Sequence, residues 1–501
     1  MRDLRAAVRL TLPMGYLLGI DIGTSSTKAV AVDAGGSIRA TGQRQHEISR
    51  PRPGRAEHDP IVWWDEVASL SGELVRELGG APEAVCVSGM GPCLAPADAD
   101  GAPLRAALLY GIDTRARAEI EELTEQIGAD AILARGGSLL SSQAVGPKLL
   151  WLRHEEPDVW SRTRRFFMPS SFSVWQLTGE YILDHHSASQ CNPLYDLTAN
   201  TWNAEMVERI APTIEMPRLL WPGEIAGQVT EAAASATGLA AGTPVLAGTI
   251  DAWAESISVG AVQMGDLMLM YGSTMFMTQV VTPGSRSPLL WATAGVRPGT
   301  ETLAAGMATG GIVASWFSDL VGEEIDSLLA EAAAVPAGAD GLLLLPYFAG
   351  ERTPIFDPLA RGALLGLTLS HRRQHVMRAL LEGVALGVRH NLVAFTEVSG
   401  QARRYIAVGG GARSETWPQV VSDVCGVPQL IPRHTVGAAL GDAMLAAEAI
   451  GIEGAIGWNP VDRTVHPRPE VAAAYDDLFG LYRRAYLDSR AVTHALAERS
   501  T

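Results

Sequence analysis

The stretch Leu17-Leu-Gly-Ile-Asp-Ile-Gly-Thr-Ser-Ser-Thr-Lys-Ala-Val-Ala-Val32 reads as two short β-strands joined by a tight polar turn. Residues 17–22 and 29–32 are apolar runs of strand length, and Gly23-Thr24-Ser25-Ser26 between them is turn chemistry. Such a turn offers backbone N–H groups and three hydroxyls to an anion, and Asp21 places one carboxylate at the end of the first strand. No G-x-x-x-x-G-K-[ST] spacing occurs, so this is not a Walker loop.

Further along, a third strand is expected over 37–43, after the Asp33-Ala-Gly-Gly36 turn. Asp59-Pro60 then opens a helix, with Asp as N-cap and Pro at the first helical position. Trp63, Trp64, Val67, Leu70, Leu74 and Leu78 supply its apolar face. Strands are expected over 84–88 and 104–109, and helices over 114–127, 147–154 and 170–177. Pro244-Val-Leu-Ala-Gly-Thr-Ile-Asp251 is an apolar strand ending on a second carboxylate, with a helix expected over 252–259. Residues 266–271, the turn Gly272-Ser273-Thr274 and residues 275–281 then repeat the logic of the opening hairpin about 250 residues later, as two related domains do. Long helices are expected at 372–398 and 471–498. Between them lie a strand at 405–408 and a turn, Gly409-Gly-Gly-Ala412, that enters a helix.

A chain of 501 residues has room for two domains with large cores. With 47% apolar and 19% charged residues it belongs among globular chains. Thirty-nine basic residues against 55 acidic ones leave a formal charge of −16. That argues against nucleic acid or an anionic membrane as main partner, though not against a nucleotide held by local groups. Cys86, Cys93, Cys191 and Cys425 form no C-x-x-C pair, and buried thiols in a reducing cytoplasm account for them. No apolar run approaches the roughly 20 residues a membrane span requires. Residues 1–14 carry Arg2, Arg5 and Arg9 without a hydrophobic signal core and read as a tail, with Met14 an alternative start.

Gly19-Ile-Asp-Ile-Gly-Thr24, Gly146-Pro-Lys-Leu-Leu-Trp151 and Leu345-Pro-Tyr-Phe-Ala-Gly-Glu-Arg-Thr-Pro354 are followed by Gly366-Leu-Thr368 and Ala379-Leu-Leu-Glu-Gly383. Val408-Gly-Gly-Gly-Ala-Arg-Ser414 and Gly437-Ala-Ala-Leu-Gly-Asp442 complete the series. In order and spacing the chain resembles the FGGY carbohydrate kinases, most closely their xylulokinase-like branch. The resemblance implies an α/β fold of two ribonuclease-H-like (actin/hexokinase-type) domains, 15–245 and 246–501, flanking an ATP and sugar cleft. It implies transfer of the γ-phosphate of ATP, with Mg2+, to a hydroxyl of a small ketose or polyol, D-xylulose by default. Asp251 matches the family's general base and Asp21 its magnesium-side carboxylate. Thr24, Ser25 and Lys28 match the first phosphate site, Gly272, Ser273 and Thr274 the second, and Gly410, Gly411 and Ala412 the adenosine site. Met90, Gly91 and Asp113, with Asp251, fall at the sugar. Related kinases often form homodimers, but no motif in this sequence marks an interface.

The chain also departs from the family. Gln-Met-His becomes Met90-Gly91-Pro92, Trp-Asn-Asp-x-Arg becomes Gly111-Ile-Asp-Thr-Arg115, and Ala252 replaces the Asn or Gln after the catalytic aspartate. Polar groups that fix sugar orientation are thus lost, while the ATP side is intact. Alternatives are a kinase for another pentulose, a tetritol or a related sugar, or a non-catalytic nucleotide-switched protein of the actin-like superfamily. Glu351-Arg352 reads equally as a motif of the branch or as a buried ion pair. Lys148 and the His185-His186 pair are assigned structural roles, since adjacent histidines without further ligands are poor evidence for zinc.

Overall fold

The computed structural model describes residues 15–499, so the tail expected at 1–14 lies outside the described residues. In the first sheet, β1 (Tyr16–Ile22) and β2 (Ser26–Asp33) form an antiparallel hairpin with Asp21 opposite Lys28, and β3 (Ile38–Gln45) pairs antiparallel with β2. β4 (Ala84–Gly89) runs parallel to β1; β5 (Ile225–Gln228) lies antiparallel to β6 (Pro244–Leu246), which is parallel to β4. The order is β5-β6-β4-β1-β2-β3.

The second sheet holds β7 (Asp266–Tyr271), β8 (Met275–Val281), β9 (Trp291–Ala294), β10 (Glu301–Gly306), β11 (Arg404–Val408), β12 (Gln429–Pro432) and β13 (Val461–Val465). Its order is β9-β10-β8-β7-β11-β12-β13. Both sheets share one kernel. A hairpin is flanked on one side by an antiparallel third strand and on the other by two parallel ones, β3-β2-β1-β4-β6 and β10-β8-β7-β11-β12. This is the ribonuclease-H-like arrangement, present twice.

Parallel neighbours need crossovers, and helices supply them. The helix Pro60–Leu78 joins β3 to β4; the Asp59 side chain accepts from the Ile61 N–H at its start, and Gly79 ends it at a φ of 73°. Period-two alternation divides β1 between two cores. Leu18, Ile20 and Ile22 pack with Trp63, Val67 and Phe172, while Leu17 on the other face meets Trp253, Leu440 and Ala443. The same alternation puts Gly19 and Asp21 on the Leu17 face. There the helix Ala438–Ala449 approaches so closely that a Cβ on Gly19 would stand 1.9 Å from the Ala439 carbonyl oxygen. On the helix's other side, a Cβ on Gly441 would stand 1.9 Å from the Ala254 carbonyl oxygen of the helix Asp251–Ser258. The helices that follow the fifth kernel strand of each domain thus pack backbone to backbone and join the two halves.

Two expectations are corrected. The apolar run at 104–109 contributes only Ala107–Leu108 to a strand, because its outer backbone groups bond elsewhere: the Leu104 N–H to Pro96 and the Leu109 N–H to Ala56. The 409–412 turn does not enter a helix directly; a tight 3-10 turn, Gly410–Arg413, precedes the helix Thr416–Cys425. The helices Ile312–Val321 and Ile325–Ala333, unassigned from sequence, flank the cleft described below. No helix among the described residues is long and apolar enough to cross a membrane.

Candidate active site

Asp251 is the first residue of its helix, and the Ala252 N–H donates to its Oδ1 at 2.7 Å, so the side chain does bond at the helix start. Glu255 lies one turn on, on the same face. Asp442 is carried by the facing helix, where Ser88 donates to its Oδ2 through Oγ (2.6 Å) and N–H (3.2 Å). Asp21 completes a group of four carboxyls drawn from both domains, with Lys28 the cation acting on Asp21 and Glu255.

Burial pushes Asp251 up to about 6, opposed by the Ala252 N–H. Burial also raises Glu255 to about 7, with Lys28 pulling the other way and Asp251 adding to the rise. Asp442 is raised to about 7 by burial despite its Ser88 bonds. Asp21 is raised well above the carboxylate range by burial and by the charges of Asp251, Asp442 and Glu255, and its Oδ1 is buried without a hydrogen-bond partner. Folded-state values above the unfolded ones mean that these carboxyls hold protons the unfolded chain releases. For Asp251, Glu255 and Asp442 the stabilising effect is complete below about pH 4 and is lost as pH rises through about 6–7. Asp442→Asn keeps an acceptor for Ser88 and removes one charge. Calorimetry should therefore show a smaller fall in Tm between about pH 5 and about pH 8 than in the wild type. An unchanged fall would show that Asp442 does not contribute to the strain.

The 272–274 turn joins β7 to β8. Gly310 and Gly311 clasp it: their N–H groups donate to the carbonyls of Ser273 (2.9 Å) and Gly272 (2.8 Å). A Cβ on Gly310 would stand 2.6 Å from the Thr274 carbonyl carbon. The turn separates two cavities. Gly272 and Ser273 line an open cleft of about 1100 Å³ together with Gly410, Gly411, Arg413 and Ile312. Thr274 lines a smaller cavity of about 210 Å³ that contains Asp251 and Gly91. Gly410 and Gly411 serve different ends. A Cβ on Gly410 meets nothing within 4 Å, whereas one on Gly411 would press the Trp417 ring at 2.9 Å.

Trp253, Phe276 and Trp291 form the apolar wall of the smaller cavity, and Tyr110, Gln143, Gln190 and Arg352 give it polar character. Tyr110 Oη shares a 2.7 Å hydrogen bond with Thr24 Oγ1, which ties the first turn to the cavity. Gln143 accepts from the Gly111 N–H through Oε1 (3.0 Å), leaving its amide N–H groups as donors. The buried His186 donates from Nδ1 to the Ala294 carbonyl (2.7 Å), and burial pushes it down to about 3, so the ring is neutral. Its Nε2 therefore accepts from Gln190 Nε2 (2.8 Å), which fixes the Gln190 amide and leaves its oxygen as an acceptor. None of these polar residues stands where the family motifs place sugar contacts. Arg352 had been marked in sequence by the 345–354 motif, without a place at the cavity; Tyr110 lies one residue before the altered 111–115 motif, a position that could have pointed to it.

Not every expected residue lines these cavities. The Met90 side chain is buried in the N-terminal core, its N–H donating to the Ile22 carbonyl (2.7 Å). Asp113 is buried, accepting from the Ala56 N–H (2.7 Å) and from Arg115 Nε and Nη2. Ala412 is buried behind Gly410 and Gly411. Ser25 and Lys28 are exposed at the first turn. Lys148 is buried, donating to the Leu109 carbonyl at 2.7 Å, and burial pushes it down to about 8. The Glu351 carboxylate accepts from the backbone N–H groups of Ala308 and Arg352, while the Arg352 guanidinium turns to the Met307 carbonyl and the cavity.

Residues 16–257 match the FGGY family of carbohydrate kinases, N-terminal domain, and residues 268–450 match its C-terminal domain. The chain is similar to the xylulose kinase of Bacillus subtilis, 27% identical over 501 residues and covering 96% of this chain and 99% of the relative. It is also similar to the glycerol kinase of Bordetella parapertussis, 30% identical over 470 residues, with 89% and 90% covered. The crystal structure of xylulose kinase from Rhodospirillum rubrum shares the fold at a TM-score of 0.90 and 33% identity, covering 96% of this chain and all of that one. With both of its domains matched in sequence, and with a doubled kernel enclosing a carboxylate-bearing cavity beside a glycine-lined cleft, the chain belongs to the FGGY family of carbohydrate kinases.

Proposed function

We propose that this kinase transfers the γ-phosphate of ATP to a hydroxyl of a small ketose or polyol, with D-xylulose the default acceptor and Asp251 the general base. The observation that carries the reading is the 272–274 turn, set between a large glycine-lined cleft and a small cavity holding Asp251. The cleft suits a nucleotide, since Gly410 leaves the backbone open on that side. Asp21 suits magnesium: its unpartnered Oδ1 lies among like charges that a cation would relieve. Asp21 would serve that ion through water, since magnesium keeps much of its hydration. ATP with magnesium supplies an electrophilic phosphorus and a leaving group. Thr24, Ser25, Lys28 and the 272–274 turn orient phosphate oxygens from the two hairpins, and Asp251 accepts the proton of the attacking hydroxyl.

A base must be ionised to act. With Asp251 raised to about 6, kcat/KM should fall about tenfold per pH unit below that value and level off above it. A rate independent of pH between about 5 and about 7 would remove Asp251 from this role.

The relatives named as xylulose kinases support D-xylulose. Other pentuloses, tetritols and related sugars belong in the same assay because Gly91-Pro92 offers the cavity no side-chain donor, and Gln143 and Gln190 supply polarity from another side. Incubation with ATP, magnesium and a panel of pentuloses, pentitols, tetritols, hexuloses and glycerol, following ADP, tests the reading. Stimulation by one acceptor class supports it and names the class. No stimulation by any of them, with nucleotide bound, would sink it.

A further inference from the structure

Arg352 enters the smaller cavity beside Asp251 and Thr274, and the chemistry above gives it no task. Its seat is built for a guanidinium. Nη2 donates to the Met307 carbonyl at 2.7 Å, and Nε is buried with no hydrogen-bond partner. Gly306 leaves the room: a Cβ there would stand 3.2 Å from Arg352 Cζ and Nη2, and 3.3 Å from the Trp291 ring. The neighbouring Glu351 Oε1 accepts from the N–H groups of Ala308 (2.6 Å) and Arg352 (2.8 Å), not from the guanidinium. A guanidinium nitrogen that is buried is ordinarily paired. Arg352 is half-buried, and with its Nε left unpaired next to a base and a phosphate turn it is arranged to receive an anion.

The surroundings say which anion. The Met307 N–H donates to the Met275 carbonyl at 2.9 Å, directly after the second turn, so Arg352 is anchored to the strand ends that frame it. Tyr110, bonded to Thr24 of the first turn, lies within electrostatic reach of the guanidinium. Arg352 therefore stands on the cavity side of both phosphate turns. We propose that Arg352 is a catalytic residue that donates hydrogen bonds to the equatorial oxygens of the transferring phosphoryl group. The proposal rests on the kinase reading above.

In the step, the bond between the acceptor oxygen and the γ-phosphorus forms as the bond from that phosphorus to the β,γ-bridging oxygen breaks. The bridging oxygen leaves with the electron pair on ADP, and the hydroxyl proton passes to Asp251. Charge spread over the three equatorial oxygens is met by the Arg352 donors. Such a contact strengthens in the transition state, so its loss lowers kcat and leaves acceptor KM in place. Recognition of an acceptor carboxylate would do the reverse.

The test measures sugar-dependent ADP formation by Arg352→Ala and Arg352→Gln beside wild type and Asp251→Asn. Both Arg352 variants should lose kcat by about 10²–10³-fold, with acceptor KM changed by less than about threefold. Added guanidinium ion should restore part of the activity of Arg352→Ala and none of that of Asp251→Asn. Should Arg352→Ala fail to fold, Arg352→Lys, which keeps the charge but not the planar fork, is read for the same split between kcat and KM. Wild-type kcat, a loss confined to KM, or no rescue in a variant with native near-UV dichroism and nucleotide binding would overturn the proposal while leaving the kinase reading standing. Absence of sugar-dependent ADP from the wild type would overturn both.

Discussion

Asp251→Asn is expected to lower kcat about 10³-fold without loss of ATP affinity or of fold. The substitution is nearly isosteric, and its side-chain oxygen can still accept the Ala252 N–H that Asp251 Oδ1 accepts at 2.7 Å. The helix start is therefore preserved, and what disappears is the one carboxylate that lines the cavity among the described residues, and with it the group to take a proton from the acceptor. The electrostatics sharpen the test. Asp251 raises Asp21, Glu255 and Asp442, so removing its charge relaxes strain in that group. Above about pH 7 the variant should melt no lower than the wild type while turning over far more slowly. A fall in activity of less than tenfold, or one that tracks a fall in Tm, would take the general-base role away from Asp251.

The two hairpins and Asp251 were legible in the sequence because they are local. A strand, a glycine-hydroxyl turn and a strand occupy consecutive residues, and the period-two pattern that buries Leu18 and Ile20 also assigns Asp21 its face. The Gly310-Gly311 clasp was not legible, since it acts through backbone N–H groups on carbonyls 37 and 39 residues earlier and leaves only two glycines as a trace. The cavity lining was harder still. Gln143 and Gln190 lie outside any periodic pattern and gain meaning only when Gly111 and His186 fix their amides. Asp113 illustrates the converse. Its motif spacing survives and brings Arg115 to it, yet the carboxylate is also engaged by the Ala56 N–H, a tertiary choice that spacing does not encode. The ambiguity at Glu351-Arg352 had the same origin: neighbours in sequence, the two side chains take different partners once folded.

Gly441→Ala is expected to destabilise the protein by about 3 kcal/mol, although the added group is one methyl. A Cβ at this position would lie 1.9 Å from the Ala254 carbonyl oxygen, 2.9 Å from its carbon and 3.0 Å from the Ser258 nitrogen. All three are backbone atoms of the helix that begins with Asp251, so no side chain can swing aside. The helices must separate. The opposite face of Ala438–Ala449 is no freer, since it touches β1 at Gly19 through Ala439 and Ala443. Separation would move Asp442, the next residue, away from Ser88 and shift Asp251 against the 272–274 turn, so kcat should fall along with stability. Gly480→Ala is the matched control. Gly480 also lies inside a helix, Ala472–Ala497, but a Cβ there meets nothing within 4 Å. With no clash to oppose it, the gain in helix propensity should stabilise that variant by about 0.5–1 kcal/mol and leave turnover unchanged. Denaturant unfolding of the two variants, beside their kinetics, separates the cost of a side chain in a helix from the cost of one in the joint between domains. Equal effects at the two glycines would mean that the helix pair does not hold the halves together by backbone contact.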